Sequence, residues 1–122
     1  MSDCLFCQII AGDIPGEFVV ERDEVVAFRD IHPAAPTHVL VVPRQHIPDA
    51  RELDSAEPGT LEQIFQVANE VAEQEGIRDS GFRLIFNAGP DSGMLVPHLH
   101  LHVVGGRPLG SIVSGSSSHE AK

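Results

Sequence analysis

The chain contains no tryptophan and no tyrosine, and its only lysine is Lys122 at the C-terminus. Of its 122 residues, 18 are acidic and 8 are basic, which gives a formal net charge of −10. A general nucleic-acid-binding surface needs rows of cations, and single strands are usually held on exposed aromatic rings. We therefore expect no nucleic-acid partner. Small anionic ligands fit this composition, because backbone N–H groups, amides and imidazoles also bind anions.

Long apolar runs are lacking as well. No segment approaches the ~18 apolar residues that cross a bilayer, so we expect no membrane partner. Residues Met1–Phe6 have neither the basic patch nor the apolar core of a secretory signal, which favours the cytoplasm. The length predicts one domain, residues 1–110, because the Gly/Ser-rich residues 111–122 are typical of a flexible tail.

Short apolar and β-branched runs bounded by turn residues predict five strands. These runs are Phe18–Val20, Val25–Phe28, Val39–Val42, Phe82–Phe86 and Leu99–Val104. Only Glu21–Glu24 separates the first two runs, which is short enough for a hairpin and hence for an antiparallel pair.

Apolar residues at helical spacing predict one long helix over about Pro58–Glu75 that covers the sheet. Gly76 follows it and takes the left-handed conformation that ends many helices. The segment Leu5–Ile10 has the same spacing and predicts a short N-terminal helix, which Gly12 and Pro15 stop.

The run His98–Val104 alternates histidine with apolar residues before it ends in two valines. Side chains alternate between faces in a strand, so the three imidazoles share one face. A single ion bound by all three is disfavoured, because His98 and His102 start about 13 Å apart in a strand. Divided roles fit better: one imidazole attacks phosphorus and another donates a proton to the leaving group. The pattern therefore favours phosphoryl or nucleotidyl transfer.

Further polar and glycine residues are predicted to surround the same site. His38 lies near the start of the third strand, and Asn87 closes the fourth. The loop that follows, Asn87–Gly93, contains glycines that let backbone N–H groups approach a ligand. Together these residues predict the rim of a pocket.

Cys4 and Cys7 form an isolated C-x-x-C motif, which is compatible with a redox pair, half of a zinc site or two buried thiols. A redox pair of the thioredoxin type belongs on a βαβ unit, which this N-terminus does not offer. A tetrahedral zinc site needs two more nitrogen or sulfur ligands.

The segment His98–Val104 resembles the signature of the histidine triad family, His-x-His-x-His followed by two apolar residues. Asp30–Pro33, Ala35–His38 and Gly105–Gly110 are similar to its Hint-type nucleotide-binding branch. The resemblance covers about Cys4–Gly110. It implies an α+β fold with a five-stranded antiparallel sheet, one long helix and a short N-terminal helix, with the sheets of two subunits joined in a homodimer.

The resemblance also implies an activity. Family members cleave the bond at the α-phosphorus of purine nucleoside phosphoramidates or related nucleotide conjugates, through a nucleotidyl-histidine intermediate. Carried over by position, His100 is the nucleophile, and His102 contacts the phosphate and assists the leaving group. His98 and His38 orient these two. The alternatives are a nucleotide-binding regulatory protein with incidental turnover and a metalloenzyme that uses the triad as ligands.

The nucleotide-binding residues follow from the same resemblance. Asp30 holds the ribose hydroxyls and Asn87 the phosphate, beside the glycine loop that ends at Gly93. Leu95 stands where relatives often carry a serine, so it offers only its backbone N–H to the phosphate. The apolar pocket for the base consists of Phe6, Ile9, Phe28, Ile31 and Leu40.

In some relatives the C-x-x-C motif binds zinc together with a histidine after the third strand and the first triad histidine. Those positions are His46 and His98 here. The resemblance therefore implies one structural zinc ion per subunit, bound by Cys4, Cys7, His46 and His98, and no organic cofactor.

Overall fold

The structure of the chain is a computed structural model that describes residues 3–112. The predicted flexible tail, residues 111–122, lies outside the described residues except for its first two. The helices and strands are α1 Leu5–Ala11, β1 Phe18–Glu21, β2 Val25–Arg29, β3 Thr37–Pro43, α2 Thr60–Gln74, β4 Phe82–Phe86 and β5 Leu101–Gly105. Within residues 3–112, no helix has the length and apolarity needed to cross a membrane.

The strands form one antiparallel sheet in the order β1-β2-β3-β5-β4. This confirms the predicted five-stranded antiparallel fold with one long and one short helix. The last strand in the chain lies between β3 and β4, one position in from the edge of the sheet. His102 in β5 is consequently flanked by Leu40 in β3 and Ile85 in β4.

Each face of the sheet buries its own set of side chains. α2 covers one face, where Ile64, Val67 and Val71 pack against Val39 and Leu101. α1 covers part of the other face. Its buried residues and their partners on that face are Phe6, Ile9, Val26, Phe28, Leu40 and Val42. Because neighbours in a strand point to opposite faces, His102 of β5 lies on the α1 side and Leu101 on the α2 side.

One glycine lies at the C-cap of α1 and another at the N-cap of α2. Gly12 follows α1 with φ 86°, and its N–H donates to the carbonyls of Gln8 and Ile9, as the sequence predicts for a helix stop. α2 begins at Thr60 rather than Pro58, because Gly59 at its N-cap has φ 85°. The preceding residues form a short 3₁₀ helix, Ala50–Ser55, that the periodicity analysis did not predict.

The last strand begins at Leu101, two residues later than predicted. The N–H of Leu99 donates to the carbonyl of Ile47, 2.6 Å away, and Ile47 lies beyond β3. His98 and His100 therefore precede the strand rather than belonging to it. The alternation of faces persists, because Leu99 and Leu101 both belong to the core under α2.

An ion pair links the end of α2 to the sheet. Both terminal nitrogens of Arg29 in β2 donate to the carboxylate of Glu75, at 2.9 and 2.8 Å. Thr37 in β3 donates to the same carboxylate at 3.2 Å. The Arg29 guanidinium holds the pKa of Glu75 below its usual value. The long helix is thus joined to two strands at its C-terminal end.

Candidate active site

The site lies on the α1 side of the sheet, where β3, β5 and β4 are adjacent. His102 stands at its centre, with the ring of His100 at a centroid distance of 4.9 Å and that of His38 at 5.2 Å. Phe6 of α1 packs edge-on against His100, with 4.9 Å between ring centroids. The structure therefore brings three of the four predicted catalytic histidines into contact.

The imidazole of His100 is held in one tautomer. Its Nδ1 lies 2.6 Å from the carbonyl oxygen of His98. A carbonyl only accepts hydrogen bonds, so Nδ1 carries the hydrogen and Nε2 keeps its lone pair. Burial also lowers the pKa of His100, which favours the neutral ring. An imidazole in this state is a nucleophile.

A chain of hydrogen bonds fixes His38 and His102 in the same way. The N–H of Ala34 donates to Nδ1 of His38 at 3.0 Å, so a neutral His38 carries its hydrogen on Nε2. That Nε2 lies 2.9 Å from Nδ1 of His102 and 3.4 Å from the Asp30 carboxylate. The other ring nitrogen of His102, Nε2, lies 3.5 Å from the side-chain amide nitrogen of Asn87. Burial lowers the pKa of His102 to about 4.

A cavity of about 310 Å³, here called the apolar cavity, opens beside His100 and His102. All nine residues predicted to bind the nucleotide line it: Phe6, Ile9, Phe28, Asp30, Ile31, Leu40, Asn87, Gly93 and Leu95. Ile31 and Leu95 are 81% and 92% exposed, so they stand at its mouth.

The apolar cavity also contains residues that sequence analysis missed. Ile14, Met94 and Val96 contribute to its lining. These residues lie outside the helices and strands, where no period of 2 or 3.6 marks a buried face. No signal in the sequence separates them from other loop residues.

A second cavity of about 460 Å³ adjoins the first, and we call it the arginine cleft. Its lining residues are Ala34, His38, Arg83, Ile85, Asn87, His102, Val104, Arg107, Leu109 and Ile112. Asn87 and His102 line both cavities. No role was predicted for either arginine, although Arg107 lies within the Gly105–Gly110 segment that resembles the Hint-type branch.

The four predicted metal ligands form a second cluster behind the site, with their ligand atoms all within 4.8 Å of one another. Nδ1 of His98 lies 3.3 Å from the Cys4 sulfur, 3.5 Å from that of Cys7 and 3.2 Å from Nδ1 of His46. Ligand atoms around a tetrahedral zinc ion are about 3.3–3.8 Å apart for nitrogen and sulfur.

The orientation of His98 also suits a metal ligand. Its Nε2 lies 2.9 Å from the carbonyl of Pro43, so this nitrogen carries the hydrogen and Nδ1 presents its lone pair to the cysteines. Metal-binding histidines usually donate their other N–H to such an acceptor. The donor set and its geometry fit a zinc ion.

Known proteins are similar to this chain in sequence and in fold. The HIT domain family model matches residues 11–109. The purine nucleoside phosphoramidase of Escherichia coli strain K12 is 42% identical over 113 residues, which cover 93% of this chain and 95% of that protein. A solved structure of a HIT family hydrolase from Clostridium thermocellum superposes with a TM-score of 0.89 at 41% identity, and covers 93% of this chain and 99% of that one.

A histidine triad protein from Clostridium difficile is similarly close, with a TM-score of 0.87 and 40% identity over 93% of this chain and 98% of that one. The similarity to a purine nucleoside phosphoramidase and to a HIT family hydrolase identifies the protein as a hydrolase. The chain belongs to the HIT family.

The first prediction concerns the ionisation of His102. We expect its imidazole to titrate near pH 4 and to be neutral at pH 7, because burial disfavours the charged ring. NMR of histidine-labelled protein over pH 3.5–8 measures this, and the His102→Asn variant assigns the signal. Because the unfolded chain binds this proton more tightly, the folded state loses stability as the pH falls below about 6.5. A midpoint at the ordinary value would contradict the prediction.

Proposed function

We propose that this hydrolase cleaves the P–N bond at the α-phosphorus of purine nucleoside phosphoramidates, with His100 as nucleophile. The hydrogen bond from Nδ1 of His100 to the His98 carbonyl carries the proposal, because it leaves the Nε2 lone pair available beside the apolar cavity. The named activity of the Escherichia coli relative supports the choice of substrate.

In this proposal the apolar cavity receives the nucleoside. Phe6, Ile9 and Phe28 present an apolar surface to the base. The Asp30 carboxylate accepts one hydrogen bond from the N–H of His32, at 2.8 Å, and its remaining lone pairs accept the ribose hydroxyls. The α-phosphate then lies by Asn87, with the backbone of Gly93 and Leu95 nearby.

The first chemical step transfers the nucleotidyl group to the enzyme. The bound phosphate anion favours one added proton on the hydrogen-bonded pair of His38 and His102, and the Asp30 carboxylate, 3.4 Å from Nε2 of His38, stabilises that charge. Nε2 of His100 forms a bond to phosphorus while the P–N bond breaks. The proton of His102 passes to the leaving nitrogen, which departs as a neutral amine.

The second step releases the product. Water attacks phosphorus, the bond from phosphorus to Nε2 of His100 breaks, and His102 takes the proton from the water. The products are a nucleoside monophosphate and an amine, and both histidines return to their starting states. The balance is one water consumed for each P–N bond cleaved.

Replacing the nucleophile tests the mechanism. We expect His100→Ala to lower the hydrolysis of adenosine 5′-phosphoramidate by at least about a thousandfold, because the covalent route is lost. Calorimetric titration with AMP should still detect binding, since the apolar cavity remains. The matched control His32→Ala lies at the cavity mouth and should affect KM more than kcat. Near-normal turnover by His100→Ala would exclude the proposed intermediate.

We also propose that Cys4, Cys7, His46 and His98 bind one structural zinc ion per subunit. Zinc with four protein ligands has a closed coordination sphere, so it holds the chain together and takes no part in the reaction. The ligands come from the start of α1, the segment after β3 and the segment before β5. Thiolate ligands persist in a reducing compartment, which supports the cytoplasm as the location.

Metal content and stability test the zinc site together. We expect elemental analysis of protein purified without chelator to give a ratio of one zinc per subunit. Cys4→Ser should lower both that ratio and the melting temperature, because metal binding stabilises only the folded state. The exposed Asp13→Asn variant, just beyond α1, is the control and should retain the metal. A ratio near zero together with an unchanged melting temperature in Cys4→Ser would refute the site.

Finally, we propose that two subunits form a dimer through α2 and the edge strand β4. Leu61 and Phe65 on α2 are 40% and 38% exposed, and the ring of Phe65 packs edge-on against Phe86 of β4. An edge strand with adjacent apolar side chains tends to pair with another chain. A two-fold axis would bring the same surface of both subunits together.

Sedimentation tests the dimer. We expect a mass twice that of the 13.2 kDa chain at micromolar concentration. Phe65→Glu should shift the protein towards monomer, because it places a charge in the apolar contact. Gln66→Glu, on the neighbouring exposed position, adds the same charge and should leave the mass unchanged. A monomer at all concentrations would contradict the proposal.

A further inference from the structure

The arginine cleft opens on the far side of the reaction centre from the nucleophile. His102 and Asn87 line both this cleft and the apolar cavity, whereas His100 lines the apolar cavity. In a displacement at phosphorus, the attacking and leaving groups lie roughly in line on opposite sides. A nucleophile that approaches from the apolar cavity therefore directs the leaving group into the arginine cleft.

The strand register places apolar side chains along the base of this cleft and an arginine side chain at one end of it. Ile85 of β4 is paired with His102, and Arg83 is paired with Val104, so these four side chains share the face that carries the site. Ile85 and Val104 provide the floor. Arg83 lies two residues along β4 from Ile85, about 7 Å further from the reaction centre. Arg107 lines the same cleft.

Both arginines are fixed by neutral partners. Arg83 donates to the carbonyl of Gly110 at 2.6 Å. Arg107 donates to the carbonyls of Pro108 and Ala34 at 2.9 and 2.8 Å. A guanidinium has five N–H donors, so each retains donors for a ligand. These backbone contacts hold the charges in place without neutralising them.

Arg83 and Arg107 both lack a carboxylate partner among the described residues. Within residues 3–112, no carboxylate lies within 4.0 Å of the Arg83 or Arg107 guanidinium. Of the other five arginines, four pair with carboxylates: Arg22, Arg29, Arg51 and Arg78. Arg44 lies outside the cleft and donates to the carbonyl of Arg22. In a chain with a formal charge of −10, two unpaired cations in one cleft provide a local site for an anion.

We infer that the arginine cleft binds the leaving group and selects amines that carry a carboxylate, with Arg83 and Arg107 as the residues that determine this specificity. The inference rests on the proposed phosphoramidase activity and adds its substrate class. A short stem packs on Ile85 and Val104, and the carboxylate accepts hydrogen bonds from the guanidinium groups. Arginine binds planar carboxylates through paired N–H donors, which gives geometric as well as charge selectivity.

Paired substrates test this selectivity. The series consists of adenosine 5′-phosphoramidates of glycine, β-alanine and 4-aminobutyrate, each compared with its neutral methylamide of the same length. We expect kcat/KM to favour the carboxylate by on the order of tenfold, because a charge-assisted hydrogen bond is lost in the amide. The preference should be largest at one chain length, since the arginines lie at a fixed distance from His102.

Variants of the two arginines test whether these residues produce the preference for carboxylate substrates. Arg83→Gln should reduce the ratio of carboxylate to amide, and the Arg83→Gln, Arg107→Gln double variant should bring it close to one. Arg78→Gln is the matched control, because it removes the same charge from a surface pair with Glu73 and should keep the wild-type ratio. Arg83→Lys, which retains the charge, should preserve part of the preference.

The outcomes separate this inference from the proposed function. If the wild type hydrolyses both series with a ratio near one, the specificity inference is wrong and the phosphoramidase activity stands. Equal losses on both substrates in Arg83→Gln would indicate a structural role and overturn the inference. A similar fall of the ratio in Arg78→Gln would attribute the preference to net charge and also overturn it. If unsubstituted adenosine 5′-phosphoramidate is not hydrolysed either, both proposals fail.

Discussion

The hydrogen bond between Nδ1 of His100 and the carbonyl of His98 is the constraint on which the site depends. At 2.6 Å it fixes the hydrogen on Nδ1 and leaves the opposite nitrogen with its lone pair. An imidazole that rotates or changes tautomer would present an N–H, which cannot attack phosphorus. The rest of the local structure serves to hold this carbonyl and this ring in position.

Contacts of the buried His98 side chain hold its own backbone carbonyl in position. Its ring is buried, its Nε2 bonds to Pro43 at the end of β3, and its Nδ1 faces the cysteines of α1. Phe6 of α1 packs against the rings of both His98 and His100. One short helix therefore supplies metal-ligand candidates, one side of the apolar cavity and packing against the ring of His100. Loss of order at α1 would affect all three together.

The position of β5 in the sheet determines the state of His102. Because strands lie on both sides, its ring is half-buried and contacts the ring of His38 on the neighbouring strand β3. Burial lowers the pKa of this ring and favours its neutral form. A histidine on an edge strand would be more hydrated and nearer its ordinary pKa. The position of β5 in the sheet thus contributes to the lowered pKa of His102.

Much of this structure is encoded locally. The alternation of histidine with leucine and valine assigned the faces of β5, the 3.6-residue period located both helices, and Gly12 and Gly76 ended them as predicted. The apolar residues that line the cavity were identified through resemblance to a family, since periodicity alone shows burial and not the partner. These features depend on neighbours in sequence, for which steric preferences and side-chain spacing are sufficient.

Other features required the tertiary structure. β5 begins at Leu101 because the N–H of Leu99 bonds to Ile47, a distant residue that no local pattern indicates. The ion pair of Arg29 with Glu75 likewise joins segments that are far apart in the chain, and Arg83 and Arg107 come from different segments to line one cleft. The amino-acid sequence by itself determined which face each strand buries and which residue types carry the chemistry. Only the packed sheet decided which of them meet, because long-range contacts depend on strand order and register.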